Sequence, residues 1–233
     1  PPAPPNAREW PPPAIASRFP GMPSNASLPI ARPSKIVCVG RNYAEHAKEM
    51  GNAVPQEPLI FFKPPSSLIA AGESIVLPSI STQVEYEGEI GVVLGKRLRH
   101  ATEADAAAAV SGVLAVNDVT ARDLQRSDSQ WTRAKGFDTF CPVGPVAAPP
   151  ADLSALSVVT RVNGQERQRA SASDMVFTIP VLLAYISRVM TLEPGDLVLT
   201  GTPSGVGTLA PGDEVEVEVP GFSRIRNPVN KDR

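Results

Sequence analysis

Residues 83–96, QVEYEGEIGVVLGK, decide how this 233-residue chain folds. Val84, Tyr86, Gly88 and Ile90 alternate with Glu85, Glu87 and Glu89. An extended segment therefore puts the first set on one face and three glutamates on the other. The apolar run Val92-Val93-Leu94 follows at once, so the acidic face lies where a strand enters a core. Like charges gathered beside apolar surface are costly unless something positive joins them. A hard divalent cation is the simplest partner, because Mg²⁺ takes carboxylate oxygens and keeps positions for water or substrate. The competing reading is an antiparallel strand whose charged face is simply solvated.

Composition limits the alternatives. The length suits one domain, or one domain plus an arm, and 42% hydrophobic residues can build a sizeable core. A net charge of −2 and a pI near 5.8, with no block of Lys or Arg, point away from nucleic-acid and membrane-surface binding. Cys38 and Cys141 sit in apolar contexts and give no disulfide framework. With only His46 and His100 besides, and no CxxC, a thiolate–imidazole zinc site is disfavoured, which leaves oxygen ligands. No run of about 18 apolar residues and no secretory segment is seen. The expectation is a soluble protein of a reducing compartment, the cytoplasm or an organelle matrix. The sequence starts at Pro1, so N-terminal processing is invisible.

Residues 1–34 hold 11 of the 26 prolines and read as an arm, disordered or wrapped on the surface, which Trp10 and Phe19 would pin. The folded domain is expected over 35–233. KIVCVG (35–40), PLIFFKP (58–64), the glutamate segment (83–94), GVLAVNDVT (112–120), DLVLTGTP (196–203) and DEVEVEVPG (213–221) read as strands. Helices are expected over GRNYAEHAKEMG (40–51), after Thr102 with a capping-box-like start, and from Pro180 through IPVLLAYISRVM. In the last of these, Val181, Leu182, Tyr185 and Val189 form the apolar stripe. Asn163-Gly164 signals a hairpin. No regular βαβ alternation occurs, so a doubly wound sheet is disfavoured and a β-rich α+β fold is expected.

Four further clusters could carry chemistry. Asp118 ends an apolar strand, where it either completes an oxygen-ligand set or caps a helix. Arg122 and Gln125 share a face of the following turn, while Asp123 reads as structural or surface. His46 and Glu49, three apart on a helix, are either an oriented general base or a solvated ion pair; His100 reads as surface. Lys135, between Trp131 and a Gly/Pro-rich loop, is either a desolvated anion-binding amine or an ordinary exposed lysine. LTGTPSGVG (199–207) resembles an anion-binding loop but lacks the GK[ST] of a P-loop.

GRNYAEHAKEMG, FFKPPSS, EYEGEIGVVLGK, NDVTARDLQ, AKGFDTFCPVGP and LTGTPSGVG occur in an order that resembles the fumarylacetoacetate hydrolase superfamily, over about residues 35–229. Within it the chain is most similar to the acylpyruvate hydrolase and oxaloacetate decarboxylase branch, and it also resembles proteins described as isomerases of 2-hydroxyhepta-2,4-diene-1,7-dioate. The resemblance implies a mixed β-sandwich roll with short flanking helices, a helical lid over the site, and a homodimer. It implies Mg²⁺ or Mn²⁺ on Glu87, Glu89 and Asp118, with Glu85 outside that set. His46, Glu49 and Lys135 take the catalytic positions. Arg122, Gln125, Thr202 and Lys63 take the substrate-side ones.

The implied activity is hydrolysis or decarboxylation at a C–C bond of short keto acids through a metal-stabilised enolate. Isomerisation of a dienoate, using the same metal and acid/base groups, is the alternative. A catalytically silent homologue that binds metal or carboxylate is a third reading, disfavoured by the presence of His46, Glu49 and Lys135 together. A carbohydrate-cleaving carboxylate pair would not need that set.

Overall fold

Ile36-Val37-Cys38-Val39 is buried along its whole length because apolar layers cover both faces of its strand. Val37 and Val39 join one cluster; Ile36 and Cys38 join a second on the opposite face. A strand so enclosed has no polar face to offer, hence its unbroken apolar run. The structure, a computed structural model, describes residues 28–51 and 53–232.

That strand, Ile36–Gly40, lies inside a five-stranded sheet. Its neighbours are Leu59–Lys63 at one edge and Leu197–Leu199, followed by Gly88–Leu94 and Val110–Asn117. All these pairings are antiparallel except that of Ile36–Gly40 with Leu197–Leu199. A second five-stranded sheet runs Gln165–Ser171, Ser157–Val162, Glu214–Val219, Ser223–Lys231, Ile75–Leu77. The sheets share a core in which Ile90, Val92 and Val113 of the first meet Val158, Val217 and Ile225 of the second. Each fully buried side chain of this size contributes roughly 1.5–3 kcal/mol. The result is a β-rich sandwich with short helices at its margins.

Most expected strands and the Asn163-Gly164 hairpin are present, the hairpin residues at φ 53° and 76° as a type I′ turn requires. Thr102 caps Glu103–Ala108 by accepting the Asp105 N–H.

Three expectations are corrected. The glutamate segment is two strands, Val84–Tyr86 and Gly88–Leu94, because the chain changes sheets at Glu87. There the Glu87 N–H donates to the Asn117 side chain and its carbonyl accepts from Asp118 N–H. The first helix is only Ala44–Glu49: Gly40 still belongs to a strand, Arg41 is left-handed at φ 59°, and Tyr43 is extended. In the helix Ile179–Val189 the buried stripe is Ile179, Leu182, Leu183 and Ile186, whereas Val189 is exposed. Of the proline-rich segment, Leu28 and Ile30 pack against the second cluster and Ser34 donates to Asp196. Residues 1–27, with Trp10 and Phe19, lie outside the described residues.

Gly88, between two of the clustered glutamates, is sterically obligatory. A Cβ there would lie 1.8 Å from Thr160 Oγ1, a buried hydroxyl that has no hydrogen-bond partner. Gly88→Ala should therefore destabilise the fold by about 1–3 kcal/mol, the range for overpacking. Adding Thr160→Ala should restore most of it, measured by urea denaturation of the two single variants and the double.

Candidate active site

The sheet change at Glu87 brings three carboxylates to one point. Ligand oxygens of Glu87, Glu89 and Asp118 all lie within 4.8 Å of one another, and all three residues are buried. Glu87 and Glu89 flank the start of one strand, and Asp118 directly follows the neighbouring strand Val110–Asn117. Neither the solvated-strand reading of the glutamates nor the helix-cap reading of Asp118 holds: Glu85, Glu87 and Glu89 are at most 7% exposed, and the helix that follows Asp118 has Ala121 at its N-cap.

Cations from other elements surround the cluster. Lys135 Nζ donates to Glu87 Oε2 and Asp118 Oδ2, both at 2.8 Å. Lys63 Nζ donates to Asp118 Oδ1 at 2.7 Å and to the Val119 carbonyl at 3.1 Å. Arg122 donates through Nη2 to Glu87, through Nε to Glu85, and through Nη1 to Gln125 Oε1. Lys135 Nζ also stands 5.0 Å from the centre of the Phe61 ring, which packs edge-on against Trp131. Trp131 in turn lies 3.1 Å from where a Cβ on Gly40 would be, so a larger residue there would push into the indole.

The electrostatics divide the carboxylates. Burial would raise the Glu87 carboxyl, but Lys135 and Arg122 outweigh it and hold that group well below the usual carboxylate range. Burial, then Asp118 and Glu87, push Glu89 well above it. The Gly201 N–H donates to Glu89 at 2.6 Å. Burial would depress the Lys135 ammonium, but Asp118 and Glu87 hold its pKa above the ordinary value. Four buried carboxylates (Glu85, Glu87, Glu89, Asp118) thus face three buried cations (Lys63, Lys135, Arg122); with all of them ionised one negative charge would be in excess, and Glu89, which pairs with no cation, is the group pushed up. Clustered oxygen donors with unbalanced negative charge fit a hard divalent cation, and Glu87, Glu89 and Asp118 are the residues that would hold it.

A cavity of about 280 Å³ opens beside the cluster, lined among others by Glu87, Lys135, Arg122, Gln125, His46 and Thr202. His46 Nδ1 is 3.3 Å from Glu49 Oε2, on the helix Ala44–Glu49 that covers one side of the cavity. The Glu49 carboxylate also receives the Gly205 N–H at 3.1 and 3.2 Å. The Thr202 hydroxyl donates to the Gly88 carbonyl and accepts from Gln168, so it braces the strand start as well as lining the cavity. The anion-binding character of 199–207 is therefore met by the protein's own Glu89 and Glu49. His100 is exposed, as expected. Burial pushes the Cys141 thiol up to about 12 and Cys38 well above its ordinary value, so neither is a thiolate nucleophile at neutral pH.

The residues that sequence reasoning missed are Asn42, Gln168 and Arg41. Asn42 clamps three backbone groups: its side chain donates to Phe177 and Thr200 carbonyls and accepts the Phe177 N–H. Gln168 is the one buried residue in an otherwise exposed run, Gln165–Arg169, and periodicity gives no signal for it. Arg41 lines the cavity.

Residues 35–230 match the family described as Fumarylacetoacetate (FAA) hydrolase C-terminal. The chain belongs to the fumarylacetoacetate hydrolase family. It is 48% identical over 200 residues to an uncharacterised protein of Archaeoglobus fulgidus, covering 86% of this chain and 80% of that one. It is 42% identical over 231 residues to the human mitochondrial oxaloacetate tautomerase FAHD2A, covering 93% of this chain and 74% of the relative. It is also similar to the crystal structure of 5-carboxymethyl-2-hydroxymuconate delta-isomerase from Mycobacterium smegmatis. That structure has a TM-score of 0.80 at 45% identity, over 87% of this chain and 80% of the other. The family's members include enzymes, and the fold described above is theirs.

Asp123 is structural, as its position suggested: it accepts from Ser81, Thr82 and Leu124 and ties the 81–83 turn to the helix carrying Arg122 and Gln125. Burial acts against it, but these bonds together outweigh it and lower its pKa from 3.8 to about 2. A carboxylate with a depressed folded-state pKa contributes stability above its unfolded value and loses it as the pH falls through the folded one. Asp123→Ala should cost about 1–2 kcal/mol at neutral pH. The cost should be full above pH 3.8 and fade toward pH 2, as read by urea denaturation of both proteins across that window.

Proposed function

We propose that this chain moves a proton on a short α-keto dicarboxylic acid, between the carbon next to the keto group and the keto oxygen. The observation that carries the reading is one cavity lined both by His46, whose Nδ1 faces Glu49, and by Glu87 of the Glu87/Glu89/Asp118 cluster. The two relatives named above for an activity, a tautomerase and an isomerase, both relocate a proton or double bond without breaking the carbon chain.

A divalent cation, Mg²⁺ or Mn²⁺, would supply Lewis-acid polarisation of substrate oxygens when bound. Glu87, Glu89 and Asp118 would hold it, while Lys63 and Lys135 orient two of those carboxylates through hydrogen bonds. Glu49 accepts from His46 Nδ1, so the other ring nitrogen carries the free lone pair. His46 then takes the proton from carbon and returns it to oxygen, and the reverse. Lys135 offsets the negative charge that gathers at the cluster. Gln125, whose carbonyl is engaged by Arg122, offers its amide to the substrate. Burial of the whole set strengthens each of these interactions.

The second reading, C–C cleavage as acylpyruvate hydrolysis or oxaloacetate decarboxylation, uses the same residues; His46 would then activate a water instead. We also propose a homodimer, the assembly that the resemblance implies. Leu59 and Phe62, exposed on an edge strand, are surfaces a second copy would cover. A monomer by sedimentation equilibrium would count against that.

Loss of a placed acid/base costs about 10²–10⁴-fold in rate. His46→Ala should lose that much enol–keto conversion of oxaloacetate, followed by ultraviolet absorbance, and keep its affinity for Mn²⁺. Turnover at the wild-type rate in His46→Ala would refute the role. Glu89→Gln should behave differently. It puts a neutral isostere where the carboxyl pairs with no cation, so the metal-free variant should melt no lower than wild type. Saturating Mn²⁺ should stabilise wild type, by about 2.7 kcal/mol at a hundredfold excess over Kd, and leave Glu89→Gln unmoved. Unchanged Mn²⁺ affinity by calorimetry would overturn the ligand assignment. Assaying acetylpyruvate, oxaloacetate and a dienoate side by side separates the two readings.

A further inference from the structure

Among the described residues, Arg41 is a cation without a partner in a cavity where the other Lys and Arg side chains have one. Among the described residues lining that cavity, Lys135 is held by Glu87 and Asp118, Arg122 by Glu85, Glu87 and Gln125, and Arg126 by Gln83. Among the described residues the Arg41 side chain has no hydrogen-bond or ion-pair partner, although it is half-buried. Its backbone is left-handed, at φ 59°, where a side chain bearing a Cβ is unfavourable and glycine is favoured. The residues around it enforce that turn. On one side Ile36–Gly40 is paired in register with both of its sheet neighbours. On the other, Asn42 is fixed through its side chain to Phe177 and Thr200 and through its carbonyl to the Val176 N–H. A clamped turn in an unfavourable conformation, carrying a long cationic side chain to the cavity, is the kind of backbone feature that persists where it positions a group.

We infer that Arg41 binds the distal carboxylate of a dicarboxylic substrate and so sets the preference for diacids over monoacids. The inference rests on the keto-acid reading of this cavity. The cluster end of the cavity takes the keto-acid end of the substrate; the free guanidinium takes the second carboxylate, for which its planar pair of N–H groups is suited. Of the other Lys and Arg side chains lining the cavity among the described residues, Lys135 and Arg122 are paired with carboxylates, and Arg126 is exposed and turned to Gln83.

The test uses a matched pair of unreactive probes, malate and lactate, which share an α-hydroxy acid and differ in the second carboxylate. With Mn²⁺ present, calorimetry on the wild-type protein should show malate binding about ten- to a hundredfold more tightly than lactate. Arg41→Met should bring malate to the affinity of lactate and leave lactate unchanged. Arg41→Gly should do the same while melting at or above the wild-type temperature, since glycine suits the turn. A wild-type protein with no preference for malate overturns the inference. So does an Arg41→Met variant that keeps the preference or loses both probes equally, and so does a lower melting temperature in Arg41→Gly. Failure of the keto-acid reading shows separately, as an absence of oxaloacetate turnover by a wild-type protein that still discriminates malate from lactate.

Discussion

An imbalance of buried charge governs this molecule: four carboxylates and three cations, drawn from separate elements, share one water-poor region. Taking such groups out of water costs several kcal/mol per ion, which mutual attraction offsets only when the geometry is good and the remaining donors and acceptors are engaged. Here Glu87 accepts from Lys135 and Arg122, and Asp118 from Lys63 and Lys135. Glu89 lacks a cation and is the group driven toward its protonated form. A fold selected for stability alone would have no reason to keep the fourth carboxylate. Its retention beside a cavity is the physical argument for a ligand that brings positive charge.

The strand pattern was open to sequence reading because each apolar run is short and bounded by Gly, Pro or a charged turn. The alternation through Val84, Tyr86 and Ile90 places all three in the core. What periodicity could not show is the change of sheets at Glu87, since both halves keep the same two-residue repeat across it. Nor could it show the burial of Lys63 and Lys135. A lysine is stable at 1–2% exposure only because its partner comes from elsewhere, and the partner of Lys63 is 55 residues away along the chain. The helix Ile179–Val189 misled for a related reason. Leu182 belongs both to the 181/182/185/189 spacing and to 179/182/183/186, and tertiary contact with the helix Glu103–Ala108 and the core decides between them. The site residues were recognisable mainly through ordered motifs, because a bare His46/Glu49 pair or a bare Lys135 has an ordinary surface explanation.

Arg122 shows how position and role can separate. It lines the cavity, yet three of its donors are already committed to Glu85, Glu87 and Gln125. Its contribution to the site is to fix Glu87 and to turn Gln125, which is different from contacting a substrate with a free guanidinium. Glu85 owes its burial to the same arginine and to Gln83.

The loop 199–207 links the two halves of the site. Its Gly201 N–H grips Glu89, in a left-handed turn at φ 101° where a Cβ would meet Asn42 at 2.7 Å. Thr202 braces the Gly88 carbonyl between two of the clustered glutamates. Four residues beyond Gly201, the Gly205 N–H holds Glu49, the carboxylate that orients His46, and the Gly205 carbonyl accepts from Tyr86. One short segment thus connects to the acid cluster, to the strand on which the cluster is built, and to the helix carrying the proposed base. The acid cluster and the His46–Glu49 pair are therefore held from the same loop, although separate sequence motifs supply them.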